Sequence, residues 1–277
     1  MVQSVGKRAV VTLPYVELDR LFYPVSEAAL DDVENLLQLA ESSLDYGTLT
    51  WPKLLQFPRV LILAQGGVGK TREMEERAAR LCQEGKTAFF MPLERLTETV
   101  SFSDLLSIDK EEELNAWIED QVQIGWFFLD SVDELKLSQG SLESALQRFA
   151  KSLGRDGLRR ARIFLSCRPK DWSETIDRKA VRNLLEQPIM GSEVTFDPDE
   201  EFEAGLTRET EPQTSGGRES TDLSLQTVML LPLDRQRARQ LIYVLGVSDV
   251  DRLMDEITRR NSDELVKRPM DLQVLVD

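Results

Sequence analysis

A glycine-rich turn between two apolar segments contains the first residues whose chemistry can be recognised. The segment Arg59–Leu63 is typical of a short buried strand, and a helix is predicted to begin directly after the turn. The turn and the first helical residues are Gly66, Gly67, Val68, Gly69, Lys70, Thr71 and Arg72. Glycines allow the backbone to wrap phosphate groups with its N–H groups pointing inward, and the helix N-terminus adds positive potential. In such a loop the lysine reaches the β- and γ-phosphates of a nucleotide, and the hydroxyl after it binds Mg²⁺.

One position departs from the full phosphate-loop pattern. The pattern G-x-x-x-x-G-K-[ST] begins with glycine, and this chain has Ala64 there. An alternative interpretation is a glycine-rich strand-to-helix turn that carries a surface lysine. The strand, the glycines, Lys70, Thr71 and the helix nevertheless occur together in the required order, and this coincidence favours nucleotide binding.

An acidic cluster follows a second apolar strand. The strand is predicted to end at Leu129, and the next residues are Asp130, Ser131, Val132, Asp133 and Glu134. A continuous apolar run is typical of a strand buried on both faces of a parallel sheet, and ligands bind at the carboxyl ends of such strands. Asp130 would therefore hold the Mg²⁺ that Thr71 binds, directly or through water. Asp133 or Glu134 would orient and deprotonate the attacking water. The alternative is an ordinary acidic loop in a chain with 49 acidic residues.

An arginine follows another predicted strand. Residues 162–166 form this strand, which runs directly into Cys167, Arg168 and Pro169. At the edge of the sheet, Arg168 would contact a γ-phosphate and sense whether it is present. The alternative is a solvated arginine near Asp171, and the residues alone do not decide between the two. Cys167 has no histidine partner anywhere in the chain, which argues against a role as a nucleophile.

Composition excludes several classes of site. The 277 residues include no histidine, which excludes Ser-His-Asp catalysis, Cys-His catalysis and histidine-ligated metals. The net charge of −15 disfavours non-specific binding of nucleic acid. The two cysteines provide neither a disulfide framework nor a zinc motif. No apolar run approaches the roughly 20 residues of a membrane span and no signal-peptide core is visible, so we expect a cytoplasmic location and no membrane partner.

The remaining patterns predict alternating strands and helices. Further strands are expected at 87–91 and 227–231. Helices are expected at 70–84, 109–123, 141–153, 171–185, 235–245, 250–258 and 261–267, and a last one from Pro269. This order indicates an α/β fold with a five-stranded parallel P-loop sheet of the ASCE or AAA+-like type, flanked by helices and followed by a small helical domain.

Three regions are predicted along the chain. Residues 1–57 form an N-terminal extension with a strand at 10–13 and a helix at 26–44. Residues 58–232 form the P-loop NTPase core, interrupted at about 191–222 by a flexible acidic insert. Residues 233–277 begin a helical domain. Its last helix stops at the final residue without a cap, so we expect the parent protein to continue.

These motifs together resemble the NACHT branch of the STAND ATPases over residues 58–277. The most specific match is the acidic stretch after Leu129, because NACHT proteins place a small residue after the Mg²⁺ aspartate and acidic residues three and four positions later. The glycine-rich turn is similar to the phosphate loop shared with the related NB-ARC branch. The resemblance implies that Arg168 is the family's sensor arginine and that Pro269 lies against the adenine. The stretch Ser166–Trp172 is more similar to the corresponding stretch of bacterial members than to that of animal ones. Many of these bacterial members are antiphage defence proteins.

The resemblance implies a signalling switch that binds ATP or ADP with Mg²⁺ and hydrolyses ATP slowly. ADP would hold a closed monomer, whereas an unknown protein trigger and ATP would favour an open form that associates with itself, through parts partly missing from this chain. Such a switch requires the two nucleotides to have different affinities for the two states. Two alternatives stay open: a constitutive AAA+-like ATPase that acts as a motor or loader, and a scaffold that binds nucleotide without hydrolysing it.

Overall fold

The computed structural model of this chain describes residues 15–26, 47–96, 101–185 and 225–276. These residues form a six-stranded, mostly parallel sheet flanked by helices, which confirms the α/β prediction. The strands are β1 (Phe22–Pro24), β2 (Arg59–Leu63), β3 (Thr87–Pro92), β4 (Gly125–Asp130), β5 (Ala161–Cys167) and β6 (Gln226–Leu230). Their spatial order is β1-β6-β2-β5-β4-β3. β1 runs antiparallel to β6, and the other neighbouring pairs are parallel.

The predicted number of five strands is wrong. All five predicted positions are strands, but Phe22–Pro24 adds a sixth at the edge of the sheet. This strand has three residues and ends in a proline, so it is too short for an alternating pattern to be recognised. It is defined by its pairing with residues 228–230 of β6. A sheet edge is also the position that tolerates proline.

Helices connect the strands and continue beyond β6. They are α1 (Trp51–Leu54), α2 (Lys70–Gln83), α3 (Ile108–Asp120), α4 (Val132–Leu137), α5 (Leu142–Arg160), α6 (Asp177–Leu185), α7 (Arg235–Val244), α8 (Val250–Arg259) and α9 (Pro269–Val276). Short 3-10 turns lie at Leu93–Arg95, Ser103–Leu105, Pro169–Asp171 and Asp263–Val266. None of the described helices combines the length and apolar character needed to cross a membrane.

Several helices differ from the prediction, among them α1, which was not predicted, and the helix expected at 261–267, which is a 3-10 turn at Asp263–Val266. The six-residue α4 was not predicted, because it is too short for a helical period to be visible. α5 extends to Arg160, beyond the predicted end at residue 153, and Gly154, whose φ of 68° and ψ of 177° are not helical, divides it into two helical segments at a kink. α6 begins at Asp177 instead of residue 171. The Asp177 carboxylate accepts a hydrogen bond from the backbone N–H of Ser173 at 2.7 Å, which fixes the turn before this helix.

Two apolar layers cover the faces of the sheet. β2 is buried along its whole length, as expected for a central parallel strand. Successive side chains of a strand point to opposite faces. Leu61 and Leu63 therefore pack in one layer with α3 and α5, whereas Val60 and Ile62 pack in the other layer with α1 and α2. This packing fixes the carboxyl ends of β2, β4 and β5 beside one another.

A third apolar cluster joins the C-terminal helices to the segment before β1. It contains Leu18 together with Leu233, Ala238, Leu241, Ile242, Met254, Ile257, Val266 and Leu272. The segment 15–21 is thereby fixed between the helical part and the sheet. The predicted strand at 10–13, the helix at 26–44 apart from its first residue, and the acidic insert at about 191–222 lie outside the described residues.

Candidate functional site

The glycine-rich turn, residues 65–69, lies at the carboxyl end of β2 and leads into α2. Gly67 and Gly69 have φ values of 80° and 93°, in the left-handed region that favours glycine. Gly69 is also the N-cap of α2. The first backbone N–H groups of a helix have no partner within the helix, so the turn presents donors and positive potential at this end. The turn therefore combines left-handed glycines with the N-terminus of a helix.

Ala64, which departs from the phosphate-loop pattern, is part of the sheet. Its N–H donates to the carbonyl of Cys167 at 3.0 Å, so it extends the pairing of β2 with β5 by one residue. It is fully buried and has no positive φ. No backbone strain requires glycine at this position, and the turn begins only after it.

A cavity of about 520 Å³ opens between the glycine-rich turn and the C-terminal helices. Nine of the sequence-predicted site residues line it: Gly66, Gly67, Gly69, Lys70, Thr71, Arg72, Glu134, Arg168 and Pro269. Three others do not line it. Val68 is buried beneath the turn, and Asp130 and Asp133 lie behind the cavity wall as buried carboxylates. The structure therefore places residues from four separate stretches of sequence around one space.

The carboxylate of Asp133 contacts two of the cations that line the cavity. Lys70 Nζ donates to Oδ1 at 2.8 Å, and Arg168 Nε lies 2.8 Å from Oδ2. The Asp133 side chain is 0% exposed, compared with 10% for Lys70 and 38% for Arg168. Asp133 follows β4, Lys70 follows β2 and Arg168 follows β5. Because β5 lies between β2 and β4 in the sheet, the three residues come together at its carboxyl edge.

Asp130 is held by two hydroxyl groups at the end of β4. Ser166 Oγ donates to Oδ1, and Ser131 Oγ donates to Oδ2 at 3.1 Å. Ser166 Oγ also accepts from the backbone N–H of Ser131 at 2.9 Å. Ser131 has a φ of 65°, which turns the chain from β4 into α4. These bonds fix the carboxylate, and no ion pair joins it to a lysine or arginine in the described part of the chain.

Glu134 is the exposed carboxylate of the acidic stretch, and it faces the cavity. Partial burial raises the pKa of this carboxyl group, and the negative charge of Glu94 raises it further, whereas Lys70 acts in the opposite direction. A carboxylate with a raised pKa accepts a proton more readily than an ordinary one. The geometry therefore gives Glu134, but not Asp133, direct access to a molecule in the cavity.

A buried polar cluster beside the cavity was missed by the sequence. The carboxylate of Glu73 accepts from Trp51 Nε1 at 3.1 Å and from the Tyr15 hydroxyl at 3.2 Å, and Arg20 Nη1 lies 3.9 Å from it. Burial is the main cause that raises the pKa of Glu73. Glu73 and Arg77 lie four residues apart on α2, a spacing typical of a surface ion pair, but Arg77 contacts Glu17 instead, with 3.7 Å between Nη2 and Oε1. No local pattern marks this cluster.

Arg20 connects this cluster to the glycine-rich turn. Its Nη1 donates to the carbonyl of Val68 at 2.8 Å, and its Nη2 donates to the carbonyl of Leu231 at 2.6 Å. The segment before β1, which contains Arg20, is bound to α7, because Arg237 Nε donates to the carbonyl of Leu18 at 2.8 Å. Burial lowers the pKa of the Arg20 guanidinium, although its ordinary value is so high that it stays charged.

Part of the cavity lining is apolar. It comes from the segment before β1 and from the C-terminal helices, and it includes Val16, Leu18, Leu241, Val244, Leu245, Pro269 and Met270. The C-terminal helices also contact the turn directly. Met270 N donates weakly to the carbonyl of Gly67 at 3.4 Å, and Arg268 Nη2 donates to Gln65 Oε1 at 3.3 Å. A ligand between these walls would therefore contact both parts of the protein.

Comparison with known proteins gives little further information. No protein-family model matches the chain, and no curated protein matches it. Among solved structures, it is similar to the cytoplasmic domain of EssC, at 15% identity and a TM-score of 0.28. The match covers 80% of this chain and 48% of that one, so the chain spans about half the length of that structure. At this identity and TM-score, what the site binds must follow from its own residues.

Proposed function

We propose that the cavity binds ATP or ADP, with the phosphates at the glycine-rich turn and the base against the apolar part of the lining. The observation that carries this proposal is the mixed character of the lining. It combines the turn, Lys70 and Arg168 with aliphatic side chains and Pro269. A volume of about 520 Å³ is typical of small-molecule sites. A nucleotide likewise combines charged phosphates with a flat, largely apolar base.

Each phosphate has a defined set of partners in this proposal. Backbone N–H groups at the start of α2 and the ammonium of Lys70 bind the β-phosphate. Arg168 binds the γ-phosphate, which ATP has and ADP lacks. Pro269 and its apolar neighbours contact the base.

The residues around the cavity also fit a magnesium ion bound together with a nucleotide. Within the described ranges, no three His, Cys, Asp or Glu side chains come close enough to bind a metal alone. Mg²⁺ at nucleotide sites instead uses one or two protein oxygens, phosphate oxygens and water. Thr71 supplies a hydroxyl on the cavity wall, and the buried Asp130 carboxylate fits a contact through water. Mg²⁺ supplies positive charge that stabilises phosphoryl transfer.

Glu134 is the residue that we assign to the attacking water. It is exposed and lines the cavity, and its raised pKa suits the acceptance of a proton. The resemblance to NACHT proteins extends this chemistry to a slow ATPase that acts as a signalling switch, with antiphage defence as the biological setting. Arg268 and Met270 contact the turn, and this contact supports a coupling of nucleotide state to the helical part.

Thermal unfolding with and without Mg-ATP or Mg-ADP tests the binding site. Both nucleotides should raise Tm in the wild type, and Lys70→Ala should abolish the increase. Lys86→Ala is a matched control, because Lys86 directly precedes the edge strand β3, lies outside the cavity lining, and contacts the exposed Glu84 and the Trp126 ring. An unchanged Tm increase in Lys70→Ala would refute the assignment of the turn.

Turnover measurements distinguish the proposed switch from its alternatives. Tightly retained ADP with little turnover supports the switch, whereas steady turnover without a trigger supports a constitutive AAA+-like ATPase. Glu134→Gln should bind nucleotide as the wild type does and lose hydrolysis. Absence of hydrolysis in the wild type, together with unchanged binding in Glu134→Gln, would support a scaffold.

A further inference from the structure

Asp133 pairs with both of the cations that would bind the β- and γ-phosphates in the proposed nucleotide site. Lys70 Nζ and Arg168 Nε each lie 2.8 Å from one of its two carboxylate oxygens. The two cations line the cavity, whereas the carboxylate is fully buried behind them. A phosphate that enters the cavity therefore meets two cations that already have a common anionic partner.

The burial of Asp133 argues against a role as the base that activates water. A general base must lie within hydrogen-bond reach of the proton that it removes. The Asp133 side chain is 0% exposed, and each of its oxygens faces a cation. The neighbouring Glu134 is exposed to the cavity. The two consecutive carboxylates thus face different partners.

We infer that Asp133 is an internal counter-anion, which holds Lys70 and Arg168 until nucleotide phosphates replace it. The inference rests on the proposed nucleotide site and assigns Asp133 as a positioning residue that sets the relative affinities of ATP and ADP. A buried charge is strongly unfavourable without a partner. Each cation that moves to a phosphate therefore weakens the pairing of Asp133, and the nucleotide must overcome that loss.

The two contacts of Asp133 differ in strength. Lys70 donates a well-aligned hydrogen bond to Oδ1. Oδ2 accepts no aligned hydrogen bond from any described residue, so Arg168 is held by charge alone. ADP needs only Lys70 for its β-phosphate, and Arg168 then stays with Asp133. ATP needs both cations and leaves the carboxylate without either, so Asp133 weakens the binding of ATP more than that of ADP.

The test measures ATP and ADP affinities by calorimetry on the whole chain in the presence of Mg²⁺. Asp133→Asn keeps the side-chain shape and removes the negative charge. We expect it to tighten ATP binding by about tenfold and ADP binding by about threefold, which lies at and below the lower limit of the couplings measured for close charge pairs. Asp156→Asn is the control, because Asp156 is exposed near the end of α5 and pairs there with the exposed Arg159. It should leave both affinities unchanged.

A double variant identifies the cation through which the ATP effect acts. In an Arg168→Gln background, Asp133→Asn should tighten ATP and ADP by the same factor, because only Lys70 is then released. A persistent difference between the two nucleotides would overturn the assignment of Arg168 to this pair. Unchanged or weaker binding in Asp133→Asn alone, in a wild type that binds nucleotide, would overturn the inference.

The stability of Asp133→Asn provides a second test of the inference. Asp133→Asn leaves two cations without their anion, so the nucleotide-free protein should be less stable and its nucleotide-induced increase in Tm should exceed that of the wild type. A variant that stays unfolded at saturating Mg-ATP would overturn the inference, since phosphates are expected to replace the carboxylate. Failure of the wild type to bind any nucleotide would instead refute the proposed function itself.

Discussion

Arg20 Nη1 donates a hydrogen bond of 2.8 Å to the backbone carbonyl of Val68, across 48 residues of sequence. The same guanidinium donates to the carbonyl of Leu231 at the end of β6. The side chain is almost completely buried. One arginine from the segment before β1 thus fixes the glycine-rich turn and the entry to the helical part at once.

Removal of the Arg20 guanidinium should destabilise the protein. Arg20→Met leaves two buried carbonyls and the Glu73 carboxylate without their donor or counter-charge, and we expect a loss of about 2–4 kcal/mol in the free energy of unfolding. Chemical denaturation measures this loss. Arg239→Met is the matched control on α7, where the exposed pair with Asp251 should contribute about 0–1 kcal/mol. Equal losses in the two variants would contradict the role of Arg20.

The buried Glu73 carboxyl should make stability depend on pH. Its pKa is raised in the folded protein, chiefly by burial, so the folded state holds the proton more tightly than the unfolded state. Stability from this group is therefore fully present below its unfolded pKa of about 4.3 and is lost as the pH rises through the folded pKa. Glu73→Gln should thus gain stability relative to the wild type as the pH rises from about 4 to 7.

Denaturation of both proteins over this pH range measures the effect of Glu73. Glu75→Gln, at an exposed position of the same helix, controls for the loss of a carboxylate from α2. A difference between wild type and Glu73→Gln that stays constant with pH would show that burial does not shift this group.

The two ends of the glycine-rich turn should respond differently to alanine. Gly69 has a φ of 93°, and Gly69→Ala should lower stability by about 1–2 kcal/mol, because side chains are strained in this conformation. Gly66 has no positive φ, and a Cβ there meets no atom within 4 Å. Gly66→Ala should therefore change stability by less than about 0.5 kcal/mol. Thermal denaturation without nucleotide compares them, and equal effects would argue against the observed turn.

Arg168 should discriminate between the two nucleotides. Arg168→Ala removes the cation assigned to the γ-phosphate, so we expect ATP affinity to fall by about tenfold or more while ADP affinity changes less. Titration of both nucleotides measures the ratio. Lys170→Ala removes a positive charge two residues along, from an exposed position outside the cavity lining, and should preserve this ratio. Equal losses for ATP and ADP in Arg168→Ala would refute the sensor role.

Local patterns predicted the strands and α2 that carry most of the site, but not α4, which carries Glu134. Burial on both faces produced the apolar runs of β2 and β4, and the parallel order placed Lys70, Glu134 and Arg168 at one edge of the sheet. Their chemistry stays a prediction, because a shared cavity does not show what fills it. The expected strand number failed at β1, whose three residues are specified by their partner and not by their own sequence.

The residues that the sequence missed depend on long-range contacts. Tyr15 and Arg20 belong to a segment without helix or alternating periodicity, and their partners are Glu73, Val68 and Leu231. Glu73 has the helical spacing of a surface ion pair, yet it is buried and accepts hydrogen bonds from Trp51 and Tyr15. Such contacts arise when separate elements pack together, so no short window of sequence contains them.

The sheet order has a consequence for the synthesis of this protein. β2, which carries the glycine-rich turn, pairs only with β5 and β6 within the described sheet, and both follow it in the chain. On the ribosome, β2 therefore stays without a strand partner until residues 161–167 emerge, and its other side stays open until residues 226–230 follow. An unpaired apolar strand is prone to association with other chains. The nascent chain should thus need protection until β6 is made. The cavity can assemble only after the C-terminal helices have emerged from the ribosome.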